Sequence, residues 1–354
     1  MHRKLNARVV ALEELSGEER AKWQQLCLSV PAARNPFLSP VFAECVAAVR
    51  PRVRVGVIYQ DAAPVGFFPF QFKTKLHEAL GIAELVGGYM AGYGGLVAAP
   101  GLQVQGPELA LMCGLSYVWI PFLEESQTGY GLQVDEGKVG HLIRLDHGGP
   151  AYWEQIKSRD KKFVAEMLRR ERQLITKYGP LRFCFAEQVW DQSLQDLMKW
   201  KSAQYARTHQ PNLFGAAWRR SLLLRLAEKR DPACTGILST LHAGSTWVAS
   251  HFGLRHTSTL CYYFPVYNQE LSRYAPGHLL LKNIIDHAGP LGLRLIDRGA
   301  GDTQAKQDFS NEQHIICKAA WFRPGLRSWV YRCVRGVKWR LLEAEERLKE
   351  ATRI

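Results

Sequence analysis

The segment YAPGHLLLKNIIDHAGPLG, residues 274–292, reads as a helix whose start is fixed by Pro276 and Gly277. Proline pre-sets the backbone of a first helical turn, and glycine lets another group come close to the main chain. The N–H groups of that turn have no partners inside the helix, and the helix dipole adds partial positive charge, so a phosphate is well received there. Ahead of it lie three apolar runs separated by short turns: GILSTLHA (236–243), STWVASHFGLRH (245–256) and STLCYYFPVYN (258–268). They read as antiparallel strands, and LRLIDRG (293–299) reads as the last core strand. The pattern predicts an α+β domain with an anion at the start of its helix.

Working outward, helices are expected over about 191–208 and 218–229, a strand over LRFCFAE (181–187), and one long helix over 152–178 ended by Gly179-Pro180. That helix carries many basic residues, among them Arg169, Arg172 and Lys177. Its apolar residues Phe163, Met167, Leu168, Leu174 and Ile175 fall at helical spacing, so the charges form a solvated face or meet an anionic substrate. The breaker His147-Gly148-Gly149-Pro150 divides the chain into 1–150 and 151–323, followed by a tail over 324–354. In the first part the expected order is a helix from Gly17, a helix capped by Ser39, and a hairpin over 52–72 with Asp61 near its turn.

At 354 residues, 47% hydrophobic and 22% charged, the chain has the composition of a globular protein with room for two cores. Its eight cysteines form no C-x-x-C pair and no Cys/His cluster, which points to free buried thiols, a reducing compartment and no metal. The N-terminus turns acidic before any long apolar run, so no secretory signal is expected. The uncharged stretch between Glu84 and Glu108 is broken by glycines and prolines and suits strands and turns better than a spanning helix. A cytoplasmic protein is the expectation. The net charge of +13 favours an anionic partner, but no zinc-finger spacing or RNP-like aromatic pattern speaks for specific nucleic-acid recognition.

Four segments in this order, VASHFGLR (248–255), CYYFPVYN (261–268), RYAPGHLLL (273–281) and IDRGAGDTQAK (296–306), resemble the CelD/BcsL-like acetyltransferases of cellulose and exopolysaccharide synthesis, a GNAT subgroup related to the FemAB-type transferases. The resemblance covers about 157–318, and NPFLSPVFAECV, GFFPF and GYGGLV are similar to that family's first half. It implies tandem GNAT-like domains with mixed central sheets flanked by helices: a degenerate one at 1–150 and a catalytic one at 151–323. It further implies acyl-CoA or acetyl-CoA as co-substrate, bound through Pro276, Gly277, His278 and Leu279, and transfer to a sugar or lipid-linked sugar. Two departures stand out: only Pro276-Gly277 replaces the usual glycine-rich pyrophosphate loop, and Ala305 sits where the family commonly has tyrosine.

Transfer from a thioester needs an uncharged nucleophile, a base and a proton for the leaving thiolate. His251 is the first candidate for the base, its alternative being a hydrogen-bonded core histidine. Asp297 can tune His251 or anchor the acceptor, or simply cap a turn. Lys306 can neutralise a phosphate or orient Asp302, Tyr267 can protonate the thiolate, and Tyr263 and Asp302 can face the acceptor. Over 324–354 a basic amphipathic helix with Trp329 and Trp339 can lie on an anionic membrane or pack on its own domain. Two rivals share these features: a FemAB-like transferase using aminoacyl-tRNA, and a non-catalytic scaffold that binds a nucleotide or a polysaccharide-synthesis partner.

Overall fold

A computed structural model of the protein describes residues 5–186 and 191–323. Strand β1 (Leu5–Val10) leads to helix α1 (Gly17–Ser29), which opens on a capping box: Ser16 accepts from the Glu19 N–H while the Glu19 carboxylate accepts from the Ser16 N–H. Helix α2 (Pro40–Ala47) is capped by Ser39, whose hydroxyl accepts from the Phe42 N–H at 3.1 Å. The hairpin of β2 (Val53–Gln60) and β3 (Ala63–Gln71) turns through Asp61 and Ala62, both left-handed, at φ 50° and 68°. Helix α3 (Lys75–Ala79), β4 (Ile82–Glu84), β5 (Val97–Ala98), α4 (Gly106–Met112), β6 (Tyr117–Glu124) and β7 (Gly137–Arg144) follow.

The basic segment expected as one long helix is two, α5 (Gly148–Arg159) and α6 (Lys161–Tyr178). Asp160 breaks it, because its carboxylate accepts from the Phe163 N–H at 2.9 Å and so caps a new helix. Val164, Met167 and Leu174 face the core, whereas Leu168 and Ile175, assigned to the apolar face from spacing, are exposed. After β8 (Leu181–Cys184) come α7 (Asp191–Arg207), α8 (Ala217–Glu228) and β9 (Arg230–Asp231). The meander β10 (Cys234–Ala243), β11 (Thr246–His256) and β12 (Thr259–Tyr267) then leads to α9 (Pro276–Asp286), β13 (Leu295–Ala300), α10 (Gln304–Phe309) and β14 (Glu312–Phe322).

Twelve of these strands form one mixed sheet in the order β1-β2-β3-β4-β6-β14-β7-β13-β12-β11-β10-β8, with β5 on β3 and β9 on β10. The last strand, β14, lies between β6 and β7, and β7 pairs with β13, so strands from either side of the 147–150 breaker interleave. Helices α1, α2, α7 and α8 cover one face around Trp23, Phe42, Phe67, Leu222 and Phe252. On the other, α5, α6 and α9 bury Ile156, Leu174, Leu279, Leu280 and Phe309, while α4 covers Phe68, Phe70 and Trp321. Six of the seven described cysteines are buried. Among the described residues no helix is long and apolar enough to cross a membrane. The expected amphipathic tail, 324–354, lies outside the described residues.

Gly236 is where β10 meets α8 most closely. A Cβ there would sit 2.2 Å from the Leu226 carbonyl oxygen and 2.7 Å from the Ala227 Cα. Backbone cannot yield as a side-chain tip can, so Gly236→Ala is expected to cost about 1–3 kcal/mol. A urea titration that leaves the unfolding midpoint unchanged would refute this.

Candidate active site

Strands β12 and β13 run parallel, but they pair only from Thr259–Leu295 to Cys261–Asp297. Beyond that point β12 stays with β11 while β13 stays with β7, pairing Ala300 with Gly140 after an irregularity. A cavity of about 410 Å³ opens at the parting, with Tyr262, Tyr263, Phe264 and Pro265 on one wall and Asp297, Arg298, Gly299 and Ala300 on the other. Pro265 suits a strand without a neighbour on that side, since it has no N–H to offer one. A bulge follows the parting: Phe252 pairs with Phe264 and Gly253 with Tyr262, leaving Tyr263 as the extra residue.

Asp297 is buried at the apex, where its carboxylate accepts from the Gly299 N–H at 2.7 Å. His314, on β14, brings Nε2 to 4.0 Å from the Asp297 carboxylate and 3.3 Å from the Tyr93 hydroxyl, and Nδ1 to 3.6 Å from Glu124. Gly140 makes room for that ring: a Cβ there would lie 2.3 Å from His314 Nε2. Burial works against a charged His314, but Glu124 and Asp297 outweigh it and raise its pKa. Burial, with the Asp297 charge added, keeps the Tyr93 hydroxyl protonated far above its ordinary range.

The rest of the cavity is aromatic and cationic. Phe37, Tyr89, Phe122 and Tyr205 line it beside Lys201, Arg298 and Lys306. Lys306 donates to the Gly299 and Ala300 carbonyls at 3.0 and 2.7 Å, and burial, helped by the nearby Arg298, lowers its pKa to about 8. Arg298 makes no pair with Asp297. It donates to the Ala305 carbonyl at 2.7 Å and lies 5.6 Å over the Phe309 ring, and its shielded Nε has no hydrogen-bond partner among the described residues.

The same Phe309 ring lies 5.2 Å from His278 in the first turn of α9, so Arg298 is close to that helix start. Ala275, in the left-handed N-cap position, supplies no side-chain cap. At Gly277 a Cβ would find nothing nearer than Tyr267 Cδ1 at 4.0 Å, so the approach is open. The Ala275 carbonyl accepts from the His278 and Leu279 N–H groups at 2.9 and 3.2 Å, so this start offers a pyrophosphate-bearing thioester the Gly277 N–H and the helix dipole, with the Arg298 charge nearby.

The expected residues divide between this site and elsewhere. Pro276, Gly277 and His278 form the helix start, with Tyr267 against Gly277, while the Leu279 side chain is in the core. Asp297, Lys306 and Tyr263 line the cavity, and the Tyr263 hydroxyl donates to the Tyr89 carbonyl at 3.0 Å. Asp302 lies exposed outside the cavity, accepting from Gln307 at 2.7 Å and 3.0 Å from His141 Nε2. His251 is fully buried and stacked on Tyr262 at 4.1 Å, and it lines none of the described cavities. Its Nε2 accepts from the bulged Tyr263 N–H at 3.3 Å, and burial pushes its pKa down to about 3. His251 thus supports the bulge that carries Tyr262 and Tyr263 into the cavity wall.

Sequence reading missed Tyr93, Glu124, Lys201 and His314. Lys201 had a signal: it follows the buried Leu197 and Met198 by four and three residues, on the inward face of α7. Tyr93, Glu124 and His314 come from segments far apart in the chain and had none.

Residues 162–307 match the family model described as the acetyltransferase (GNAT) domain. The chain is thus an acyltransferase whose donor is a CoA-linked acyl group. Its fold is that of FemX, at 9% identity over 92% of this chain and 99% of that one, with a TM-score of 0.58. A conserved protein of unknown function from Bacteroides thetaiotaomicron is also similar, at 10% identity over 89% and 100% of the two chains and a TM-score of 0.51. A tandem GNAT protein from the clavulanic acid biosynthesis pathway aligns at 13% identity over 91% and 100%, with a TM-score of 0.47. No curated protein sequence matches significantly.

His251 has a measurable consequence. Its pKa is about 3 in the folded protein and near 6.5 when unfolded, so as pH falls the unfolded chain takes up the proton first. Stability present above about pH 6.5 is lost toward pH 3, at up to about 1.4 kcal/mol per pH unit from this residue. His251→Gln is expected to flatten that slope in denaturant titrations between about pH 6.5 and 4.5. A slope equal to wild type would contradict the assignment.

Proposed function

We propose that this acyltransferase moves an acyl group from acyl-CoA to an amine or hydroxyl of a sugar or sugar-linked precursor of a surface polysaccharide, at the cytoplasmic side. The observation that carries the reading is that Asp297 and Tyr93 are shared by two cavities. The second, of about 490 Å³, is lined by Asn35, Ser126, Thr257, Ser258 and Thr259, side chains that can exchange hydrogen bonds with a polyhydroxylated acceptor. Similarity of residues 248–306 to the CelD/BcsL-like enzymes supports the polysaccharide assignment.

When bound, acyl-CoA would supply an activated thioester. The Gly277 N–H and the dipole of α9, with the Arg298 charge, would hold its pyrophosphate. Asp297 takes the proton from the acceptor nucleophile, and Gly299, Tyr93 and His314 keep its carboxylate oriented. Lys306 Nζ, held by two carbonyls and titrating at about 8, returns a proton to the departing sulfur. The aromatic walls exclude water from the thioester. His251 holds the Tyr263 bulge, and the role first considered for it falls to Asp297.

Thiol release from acetyl-CoA, measured with a panel of amino sugars and nucleotide-linked sugars, tests the reading. Asp297→Asn is expected to slow transfer by about 10²–10⁴-fold while CoA still raises the melting temperature. A chain that neither binds nor consumes any acyl-CoA would overturn it. With Lys306 as the acid, wild-type rates fall as pH rises through about 8, and Lys306→Met is slow at every pH and lacks that descent. An unchanged pH profile in Lys306→Met removes Lys306 from the proton path.

A further inference from the structure

The mechanism leaves the amine of Lys201, which lines the donor cavity, unused. Lys201 is only 9% exposed, yet among the described residues no carboxylate pairs with it. Its Nζ donates to the Pro265 carbonyl at 2.9 Å and to Gln204 Oε1 at 3.1 Å, and it lies 5.4 Å over the Tyr205 ring. Pro265 belongs to the stretch of β12 that has parted from β13, so Lys201 stands on the wall opposite Lys306 and lines the same cavity.

We propose that Lys201 is an acyl acceptor inside the donor cavity, so that the enzyme acylates itself at Lys201 Nζ when no external acceptor is present. This rests on the reading of the cavity as the thioester site. An ammonium has three hydrogens, and here two are taken by Pro265 and Gln204. Loss of the third leaves a lone pair while both hydrogen bonds persist. Burial without a counter-charge favours that neutral form, and the pKa falls to about 8.

In the reaction the Nζ lone pair attacks the thioester carbonyl carbon, a C–N bond forms, the C–S bond breaks, and the proton lost by nitrogen goes to the thiolate. The products are an N-acyl-lysine and free CoA thiol. The amide nitrogen keeps one hydrogen, so only one of the Pro265 and Gln204 acceptors stays paired, and the acyl group occupies the aromatic space beside Tyr205. Self-acylation therefore closes the cavity to a further donor.

The full chain is incubated with acetyl-CoA alone at about pH 9 and at about pH 6.5, and its acetylated peptides are mapped by mass spectrometry. The expected result is one acetyl group per chain on Lys201, formed ahead of any surface lysine and at least about tenfold faster at the higher pH. Lys201→Arg loses that modification, while the wild-type map decides the question even if the variant folds poorly. Acetyl-CoA that raises the melting temperature yet leaves Lys201 unmodified, or modifies surface lysines equally, overturns the proposal and leaves the donor reading standing. If acetyl-CoA neither binds nor is consumed, the donor reading fails as well.

Discussion

After three residue pairs, β12 and β13 cease to hydrogen-bond, and the candidate site depends on that separation. In a continuous sheet the backbone groups of both strands would be consumed by pairing, and a cavity between them could not exist. Here each strand has another partner, β11 for one and β7 for the other, so parting them costs little sheet stability. The parting exposes backbone and side chains of both strands to a ligand, and it places Asp297 at the apex, where the two walls meet.

Such an opening must be held against collapse. Bulky aromatics do this on one wall: Tyr263 is fixed at the bulge by the His251 imidazole and packs edge-on against Phe37 at 5.5 Å. On the other, Arg298 bonds to the Ala305 carbonyl of α10, and Lys306 to the Gly299 and Ala300 carbonyls at the end of β13. These cations are shielded from water with little negative charge near them, a costly arrangement in the absence of an anion. Lowered pKa values at Lys201 and Lys306 are the direct result. An incoming polyanion reverses the balance, because it supplies the missing charge, so the same desolvation that weakens the free protein favours the complex.

The second half of the fold was legible for local reasons. Alternating apolar residues, short turns and the Pro-Gly helix start define β10, β11, β12 and α9 within a few residues of where they lie. The break at Asp160 leaves no mark on the spacing, because helical periodicity continues across it while capping operates at one position only. The insertion of β14 between β6 and β7 left no local trace, since pairing across nearly 200 residues is decided by packing. The site divides in the same way. Pro276, Gly277, Asp297 and Lys306 lie in one short stretch with turn and helix signals, whereas Tyr93, Glu124 and His314 meet Asp297 only through the sheet order. His251 was chosen for its intrinsic pKa, and burial then removed the property for which it was chosen.

Tyr93 connects these observations. It is buried, lines both cavities, and reaches Asp297 and His314 from a loop of the first half of the chain. Glu124, which raises the His314 pKa, comes from the same half, as does Gly140, which gives the imidazole its space. The first half thus supplies Tyr93 and the support of His314, and its Phe37, Tyr89 and Phe122 line the same cavity as Asp297, Arg298 and Lys306 of the matched segment, 162–307. A segment carrying only the second half would keep the helix start and both strands of the opening, yet lack Tyr93, Glu124 and the β7 partner of β13. The interleaved sheet makes the two halves one chemical unit, whatever the origin of each.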